Sequence, residues 1–382
     1  VEDLKRNITS ISSSADTTTS DITKLGIATL AAGPTETESF NRVKKQTVHS
    51  IAEAMVKRYV FEDKGIECAT HLKKLLQEGA YDAISDPKVF AETLTKDLIS
   101  ITNDKHILVG LKARASTPVA IADTVDYSVG KPQLDPEKIK AYIAPTNEGW
   151  CGMQMGSIPY EYKAGFLKED PSIGYFDLLK FGVCDLRIQG GADTPSLEDV
   201  TARRKAFKEG VDHLKGAKAI IIDLRDNSGG DPFAVQLLCS LFMDEDIPLN
   251  RIEWRTPDGP KSEDFRTLTN EELSSNERLV DTHRYPVYIL DGPWTFSAGE
   301  EFANNMKVNG RATIVGEPTG GGANPCRMHD INDLFEMQIP TGRAVNPKQE
   351  GNWEGVGIIP DHFVPAEKAL DEAVRLIHAS KK

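Results

Sequence analysis

Two short, almost wholly apolar stretches constrain the fold of this chain more than any other feature. Residues 219–224 read AIIIDL and residues 286–290 read PVYIL, and each is followed by a tight turn and then a helical pattern. Strands with so few polar residues are typical of a sheet covered by helices on both faces, because an exposed face would require alternation. We therefore predict an α/β fold with a largely parallel sheet over residues 173–340 and right-handed crossovers.

The charge balance disfavours some classes of partner. The 382 residues include 45 basic and 58 acidic side chains, so the net charge is 45 − 58 = −13. This charge argues against nucleic acid or an anionic membrane surface as the main partner. The hydrophobic content is 39%, and no apolar run is long enough to cross a bilayer, so we predict a soluble protein without a transmembrane segment.

The cysteines give no sign of a metal site or a disulfide framework. They are odd in number, dispersed and never spaced as CxxC, so we expect reduced and mostly buried thiols, no bound metal and no cofactor. The five are Cys68, Cys151, Cys184, Cys239 and Cys326.

Four segments follow from the composition along the chain. The Ser- and Thr-rich composition of residues 1–45 predicts a flexible or loosely packed segment. We predict a helical subdomain over residues 46–112 and a loop-rich connection over residues 113–170. An α/β domain is predicted over residues 171–382. Residues 243–282 are charged and irregular and predict a surface excursion. The N-terminal segment contains the sequon Asn7-Ile8-Thr9, and removal of an export signal before Val1 is compatible with the sequence, so the compartment stays open.

Ser297 occupies the junction between the second apolar strand and its helix. The sequence runs from PVYIL through DGPWTF to Ser297 and then into AGEEFANNMKV. A hydroxyl at a helix N-terminus lies beside free backbone N–H groups, which can hold the oxyanion of an acyl-transfer intermediate. The same position also fits a plain N-cap, with Glu300 completing a capping box. Both readings stay open at this point.

Two other features could complete a site with Ser297. The strand at 219–224 ends in DNSGG, where Gly229 and Gly230 would let backbone N–H groups approach a ligand, so an oxyanion hole between these amides and that of Ala298 is plausible. The alternative is a glycine turn that serves only helix packing. His106 lies at a predicted helix-to-strand junction, a good place for a pocket residue, although one histidine alone is weak evidence.

Four ordered motifs make a family resemblance specific. In this order and with these gaps they resemble the tail-specific, or C-terminal processing, serine protease superfamily, and most closely its branch with the tricorn core protease and interphotoreceptor retinoid-binding protein. The match extends over about residues 46–365 and includes SDPKVFAETLTKDL before NDKHILV. The motifs are DLRDNSGG, TFSAGEEFA, RATIVGEPTGGGANP and NWEGVGIIPD.

The resemblance implies a fold and a set of roles. It implies a crotonase/ClpP-like ββα core with an N-terminal helical subdomain. Ser297 falls on the nucleophile, His106 on the general base and Glu354 on the orienting carboxylate, while Ala298 and either Gly229 or Gly230 fall on the oxyanion-hole amides. An imidazole that accepts the serine proton, and a further group that holds the imidazole, are what such chemistry requires.

The chain also departs from parts of that superfamily. The bacterial processing proteases pair their serine with a lysine, but residues 319–323 read TGGGA, and Lys307 fits a solvated surface charge. The tricorn core has a serine directly before its histidine, where this chain has Lys105. No PDZ-like insert is evident between residues 112 and 170, so tail recognition by such a domain is not expected.

Two functions from different classes remain at this stage. The first is a serine-type peptidase that cleaves peptide or protein substrates through an acyl-enzyme on Ser297. The second is a non-catalytic module that binds a lipophilic small molecule such as a retinoid or fatty acid, with Trp294 and Trp353, and also Trp150, lining an apolar cleft. Retention of Ser297, His106 and Glu354 together favours the peptidase. The oligomeric state stays open.

Overall fold

A computed structural model describes residues 36–112, 150–155, 162–182, 197–273 and 285–380. Seven α-helices and thirteen β-strands are assigned in these ranges. The helices are α1 Glu36–Arg58, α2 Glu62–Gln77, α3 Pro87–Thr102, α4 Leu197–His213, α5 Pro232–Phe242, α6 Ala298–Val308 and α7 Ala369–Ser380. The strands are β1 Leu108–Leu111, β2 Trp150–Met155, β3 Tyr162–Leu167, β4 Ile173–Leu178, β5 Ala219–Asp223, β6 Pro248–Thr256, β7 Gly259–Arg266, β8 Val287–Asp291, β9 Ala312–Gly316, β10 Cys326–Asp330, β11 Phe335–Pro340, β12 Gly342–Val345 and β13 His362–Phe363.

A seven-stranded sheet forms the centre of the molecule. Its strand order is β13-β9-β8-β5-β4-β3-β2. The strands from β13 to β4 run parallel, and β3 and β2 continue the sheet antiparallel. The two apolar stretches of the sequence are the adjacent central strands β5 and β8, and all their residues are buried. The predicted α/β class and the largely parallel sheet are confirmed.

Helices cover both faces of this sheet because successive side chains of a strand point to opposite sides. Ile220 and Ile222 pack into a large core with residues of α4, α5 and α6, while Ile221 packs on the other face with α7. Burial of each such side chain stabilises the fold by roughly 1.5–3 kcal/mol relative to exposure. The continuous apolar runs that predicted a doubly covered strand are explained by these two cores.

The N-terminal helices have a core of their own, and part of it comes from the far end of the chain. Side chains of α1, α2 and α3 pack on β11, which lies between β1 and β10 in a three-stranded antiparallel sheet. Phe335, Met337 and Ile339 of β11 point into that core. Residues 46–112 therefore share their hydrophobic core with residues from the C-terminal third of the sequence.

Helix α1 begins at Glu36, inside the segment that the sequence predicted to be a loosely packed lead-in. Phe40 and Val43 pack against the helical core. Lys44 is buried, and its ammonium group donates to the carbonyls of Tyr81 at 2.6 Å and Ile84 at 2.7 Å. A lysine that caps distant carbonyls cannot be told from a surface lysine by sequence pattern, so the helix start was predicted too late. Residues 1–35 lie outside the described part of the chain.

Two predicted irregular regions contain strands. Strands β2 and β3 lie within the predicted connection 113–170 and extend the central sheet. Strands β6 and β7 lie within the predicted surface excursion 243–282 and form a hairpin with a charged, exposed face, to which β12 adds a third strand. Strand β7 is a mostly exposed, polar edge strand, so it lacks the apolar signal on which the prediction relied. None of the described helices is long and apolar enough to cross a membrane.

Candidate active site

Ser297 lies in a strained turn between β8 and α6. It is the N-cap residue of α6, and its backbone has φ 54° and ψ −119°, outside the regions that side chains with a Cβ normally adopt. Such a conformation costs about 1–3 kcal/mol and persists only where the surroundings impose it. The consequence is that the hydroxyl stands at the carboxyl-terminal edge of the central sheet, at the start of a helix.

Hydrogen bonds on both sides hold this turn in place. The Phe296 N–H donates to the carbonyl of Asn227 at 3.0 Å, and the Thr295 hydroxyl donates to the carbonyl of Leu224 at 2.7 Å. On the helix side, the Ser297 N–H donates to Glu300 Oε2 at 2.8 Å. The turns after β5 and β8 therefore form one unit, as expected for neighbouring parallel strands.

Gly229 allows the turn after β5 to approach the serine. A Cβ at this position would lie 2.7 Å from the Ser297 Cβ and 3.2 Å from the Ala298 nitrogen, and Gly229 has φ +103°. Any larger residue would push the two turns apart. The Gly229 N–H itself donates to Asn227 Oδ1 at 2.9 Å, so this amide already has an acceptor.

Gly230 and Ala298 are the other two predicted oxyanion-hole residues. Gly230 bridges Phe181 in parallel fashion, with Phe181 N–H donating to the Gly229 carbonyl and Asp231 N–H donating to the Phe181 carbonyl. In this pattern the N–H of Gly230 points away from Phe181. No described acceptor pairs with the N–H of Gly230 or of Ala298.

His106 reaches Ser297 from the N-terminal part of the chain. Helix α3 ends at Asn103, whose left-handed conformation turns the chain towards the sheet. His106 Nε2 lies 2.9 Å from Ser297 Oγ, although the two residues are 191 positions apart. The imidazole is 6% exposed, and its ring centroid lies 4.7 Å from that of Phe296.

Asp104 fixes the backbone on which His106 stands. Its Oδ1 accepts the His106 N–H at 3.0 Å and lies 3.8 Å from His106 Nδ1. Its Oδ2 accepts from the Tyr59 hydroxyl at 3.2 Å and from Asn324 Nδ2 at 2.9 Å. The carboxylate is fully buried, and burial raises the pKa of Asp104 to about 6 in spite of these three donors.

Glu354 approaches the same imidazole from another loop. Its Oε2 accepts the N–H groups of Ala323 at 2.6 Å and Asn324 at 3.1 Å. Its Oε1 is buried and has no partner among the described residues. Burial, followed by the nearby charge of Asp104, raises the pKa of Glu354 to about 9. Both effects favour the protonated form of Glu354, in which the carboxyl group can donate a hydrogen bond.

Glu300 joins the serine turn to the glycine-rich loop that follows β9. Its carboxylate accepts from the Ser297 N–H, from the Thr319 hydroxyl at 2.6 Å, and from the N–H groups of Gly321 at 2.7 Å and Gly322 at 2.8 Å. Burial raises the pKa of Glu300 to about 7, although all four donors favour the charged form. The capping box that the sequence indicated thus also shapes the floor beneath His106, where a Cβ on Gly322 would lie 2.8 Å from the imidazole.

Comparison with known proteins decides the family. A sequence model described as peptidase family S41 matches residues 172–364, and one described as the N-terminal domain of peptidase S41 in eukaryotic IRBP matches residues 37–146. The chain belongs to peptidase family S41. The resemblance predicted from the four motifs is confirmed, and the two S41 matches together span both the helical and the α/β parts of the fold.

The curated relatives of this S41 protein are processing peptidases. It is 27% identical over 170 residues to the chloroplastic carboxyl-terminal-processing peptidase 2 of Arabidopsis thaliana, a match that includes 44% of this chain and 30% of that protein. It is 26% identical over 194 residues to a CtpA-like serine protease of Staphylococcus haemolyticus, a match that includes 51% of this chain and 34% of the other. The chain therefore spans about a third of the length of the curated relatives it matches.

Solved structures of low sequence identity share the fold. A peptidase from Parabacteroides merdae superimposes with a TM-score of 0.57 at 17% identity, over 87% of this chain and 96% of that one. Mature CPAF superimposes with a TM-score of 0.56 at 11% identity, over 89% of this chain and 97% of that one. The comparison supports the S41 fold for the whole arrangement of helices and sheet.

The two lysines near the site in sequence have other partners in this S41 fold. Lys307 donates to the carbonyl of Ile359 at 2.6 Å and pairs with Asp361 at 2.9 Å. Lys105, which precedes His106, donates to the carbonyl of Gly320 at 2.6 Å. Neither of these two contacts places an ammonium group on Ser297.

Trp353, one of the tryptophans predicted to line a cleft, is enclosed by protein. Trp353 is 3% exposed, packs with Ala323, Ala344 and Ile358, and donates from Nε1 to the Gly322 carbonyl at 3.1 Å. We correct its predicted substrate-binding role to one of supporting the glycine-rich loop, because its indole is enclosed by protein. Trp294 is half-buried beside the serine turn. The side chain of Trp150 is outside the described part of the structure, as is the segment 113–149 in which a PDZ-like insert was not expected.

A cation could in principle be held by Asp104, His106 and Glu354, whose ligand atoms lie within 4.8 Å of one another. The donors already on Asp104 and on Glu354 Oε2 satisfy these oxygens without a metal. The arrangement therefore fits a proton-transfer network. Among the described cysteines, Cys68 and Cys239 are buried, and Cys326 Sγ accepts a hydrogen bond from Gln338 Nε2 at 2.7 Å.

Sequence reasoning did not identify Asp104 and Asn324 as part of this site. Asp104 carries a local signal, since an aspartate two residues before a histidine can accept that histidine's backbone N–H. Asn324 carries no local signal, because its importance depends on a contact with a residue 220 positions away. The glycine motif before Asn324 pointed to the loop but not to the amide that it positions.

Proposed function

We propose that this protein is a serine peptidase in which Ser297 is the nucleophile and His106 the general base. The observation that carries the proposal is the 2.9 Å contact between Ser297 Oγ and His106 Nε2. A serine that only capped α6 would gain nothing from a histidine 191 residues away, nor from the strained backbone that presents its hydroxyl. The S41 relatives named as a carboxyl-terminal-processing peptidase and as a CtpA-like serine protease support a peptide or protein substrate.

The contact defines the path of the proton. As Ser297 Oγ attacks the carbonyl carbon of a peptide bond, its proton passes to His106 Nε2. The imidazolium then returns this proton to the leaving amine, and the acyl chain remains on Ser297 as an ester. A water molecule that gives its proton to the same nitrogen hydrolyses the ester and restores the enzyme.

Backbone amides are the donors that would stabilise the tetrahedral intermediate. The Ala298 N–H lies at the positive end of α6, and the Gly230 N–H has no described acceptor. We propose these two amides as the oxyanion hole, with Gly229 providing the close approach of the two turns. Removal of one such donor typically costs about 10²–10³ in rate.

Two carboxyl groups near His106 have different roles in the proposed mechanism, one electrostatic and one structural. Asp104, with its pKa at about 6, is mostly ionised at neutral pH and stabilises the imidazolium through its charge near Nδ1. Glu354, with its pKa at about 9, is protonated and positions the loop at residues 323–324. The orienting role predicted for Glu354 thus becomes that of a neutral hydrogen-bonding group.

Labelling with a fluorophosphonate probe, which reacts only with activated serines, tests the proposal. We expect the wild-type protein to be labelled and Ser297→Ala and His106→Ala to be unlabelled. His378→Ala is the matched control, because His378 is an exposed histidine of α7 that pairs with Asp170. Loss of labelling in Ser297→Ala alone would remove His106 as the base. Absence of labelling in folded wild-type protein would overturn the peptidase proposal.

The alternative of a lipophilic-ligand module is not proposed. It relied on tryptophans lining an apolar cleft, and Trp353 is enclosed by the loop that it supports. If labelling failed, a retinoid or fatty-acid titration followed by tryptophan fluorescence would be the next measurement.

A further inference from the structure

A cavity of about 610 Å³ lies between the C-terminal end of α1, the β6–β7 hairpin and β10. None of the residues that line it belongs to the candidate active site. Its walls carry five lysine and arginine side chains and a single carboxylate, Glu263. In a protein of net charge −13 this local excess of positive charge calls for an explanation.

Three of these cations have no carboxylate partner. Arg58, Lys261 and Arg327 form no ion pair with any described residue. Two exposed arginines on the sheet that carries Lys261 do form such pairs, Arg251 with Asp264 and Arg343 with Glu253. The cavity therefore concentrates cations whose charge the protein itself leaves unbalanced.

Arg255 also lines the cavity, and its contacts help to keep the local charge positive. Its guanidinium donates to the carbonyls of Tyr59 at 2.7 Å and Val56 at 2.9 Å, at the end of α1. Carbonyls at a helix C-terminus carry the negative end of the helix dipole, which would repel an anion. Arg255 neutralises this end, so the cavity keeps its positive potential beside the helix.

Arg327 is prepared for a planar oxyanion. Its guanidinium stacks over the Trp254 ring, with the carbon 4.7 Å from the ring centroid. Stacking fixes the plane of the guanidinium while leaving its N–H groups free, and these match two oxygens of a carboxylate or phosphate. Glu263 Oε2 is held by the Trp254 Nε1–H at 3.3 Å.

Two buried polar atoms in the cavity wall have no partner. The hydroxyl of Thr341, a residue that is 5% exposed, makes no hydrogen bond to any described group, and neither does His329 Nε2. Buried polar atoms in native proteins are nearly always paired with protein or ordered water, so these two atoms keep hydrogen-bonding capacity for a bound water molecule or a ligand. Burial, then the charges of Arg58 and Arg327, lowers the pKa of His329 to about 4, which places both arginines beside this imidazole.

We propose that this cavity is a binding site for the oxyanion group of a ligand, a phosphate or a carboxylate, held by Arg58, Arg327 and the hydroxyl of Thr341. The proposal is independent of the peptidase function, because it uses none of the residues around Ser297. Lys261 adds long-range attraction from the hairpin.

Isothermal titration of the purified protein with inorganic phosphate at pH 7 tests this site, with potassium acetate as the carboxylate probe and potassium chloride at equal ionic strength as the baseline. We expect phosphate to bind, and Arg327→Gln to raise its Kd about tenfold or more, since it removes a charge-assisted contact. Arg251→Gln is the matched control: it removes the same charge from an exposed arginine of β6 that does not line the cavity, and should leave the Kd unchanged.

Thr341→Val separates ligand binding from a structural role. Valine has the same shape, and an orphan hydroxyl adds nothing to stability, so the melting temperature in chloride should not fall, while the Kd for phosphate should rise several-fold. Acetate binding with the same dependence on the variants would identify a carboxylate as the group that is recognised. Absence of binding by both anions, or equal binding by all variants, would overturn the proposal.

Discussion

Asp104 and Glu354 present carboxyl oxygens within 4.8 Å of each other and of a ring nitrogen of His106. The two groups reach this place from opposite ends of the chain, one at the end of α3 and one in the loop before β13. Two carboxylates this close in a buried site repel each other, so one of them holds a proton at neutral pH. The pKa directions assign that proton to Glu354, and this assignment makes the two residues respond differently to substitution.

Glu354→Gln should keep most of the activity at pH 7. A glutamine has nearly the shape and the hydrogen-bonding groups of a protonated glutamic acid, and its carbonyl oxygen can still accept from Ala323 and Asn324. We expect the rate of fluorophosphonate labelling to remain within about threefold of wild type, because the lost hydroxyl donor is replaced by an amide N–H. Glu354→Leu, which removes the oxygen that accepts both N–H groups, should lower the rate by about 10². Equal losses in the two variants would show that a charged Glu354 is required.

Asp104→Asn should be more harmful than Glu354→Gln. The substitution removes the negative charge near His106 and places an amide where three donors now converge. We expect the labelling rate to fall by about 10²–10⁴, the range seen when the residue that orients a catalytic histidine is changed. The pH profile provides a readout that does not depend on folding. The wild-type labelling rate should fall as the pH drops through about 6, because Asp104 becomes protonated, and Asp104→Asn should not show this fall.

Tyr59→Phe is the control for this variant. It removes one hydrogen bond of 3.2 Å to Asp104 Oδ2 and leaves the charge in place. A loss of only a few-fold is expected, with an unchanged pH profile. If Tyr59→Phe matched Asp104→Asn in both respects, packing rather than the charge of Asp104 would explain the effect.

The central sheet was predictable because its signal is local. The apolar runs of β5 and β8 report burial on two faces, and the turn residues after them report where the strands end. Polar edge strands such as β7 carry no such signal. The start of helix α1 also lacks a local signal, because its buried lysine, Lys44, cannot be told from a surface lysine in the sequence. Periodicity therefore recovered the core of the fold and missed its periphery.

The site was predictable only as far as its residues carry motifs. Ser297 and the glycines of the two turns are recognisable because strand, turn and helix follow each other in sequence. The contact between Ser297 and His106 came from the family resemblance and not from any local pattern. Which carboxyl group is charged depends on burial and on a neighbour 250 residues away in sequence, as Asp104 and Glu354 demonstrate, and such information is absent from composition or spacing.

The backbone strain at Ser297 predicts which of two Ser297 variants is the more stable. Both Ser297→Ala and Ser297→Gly remove the nucleophile and should abolish labelling. Glycine adopts φ 54°, ψ −119° with little penalty, whereas alanine keeps the Cβ that causes the strain. We expect Ser297→Gly to be more stable than Ser297→Ala by about 1 kcal/mol in urea unfolding. A Gly variant that is less stable than the Ala variant would mean that the turn is not strained.

Stability should decline on the alkaline side. Burial raises the pKa of Glu300 to about 7 and, together with Asp104, that of Glu354 to about 9. The unfolded chain releases these protons near pH 4.3, so the folded state binds more protons than the unfolded state between that pH and the folded pKa values. The stability that these groups contribute is thus complete at about pH 4.3 and below, and is lost as the pH rises through about 7 for Glu300 and about 9 for Glu354.

Urea unfolding at about pH 5, 7 and 9 measures this decline directly. The midpoint of wild-type protein should fall at each step. Glu354→Gln cannot ionise, so its midpoint should fall less than that of wild type in both steps, while a decline between pH 5 and 7, to which Glu300 contributes, should remain. A midpoint that rises from pH 5 to 9 would contradict the assignment of protons to these buried carboxyl groups, and with it the neutral role proposed for Glu354.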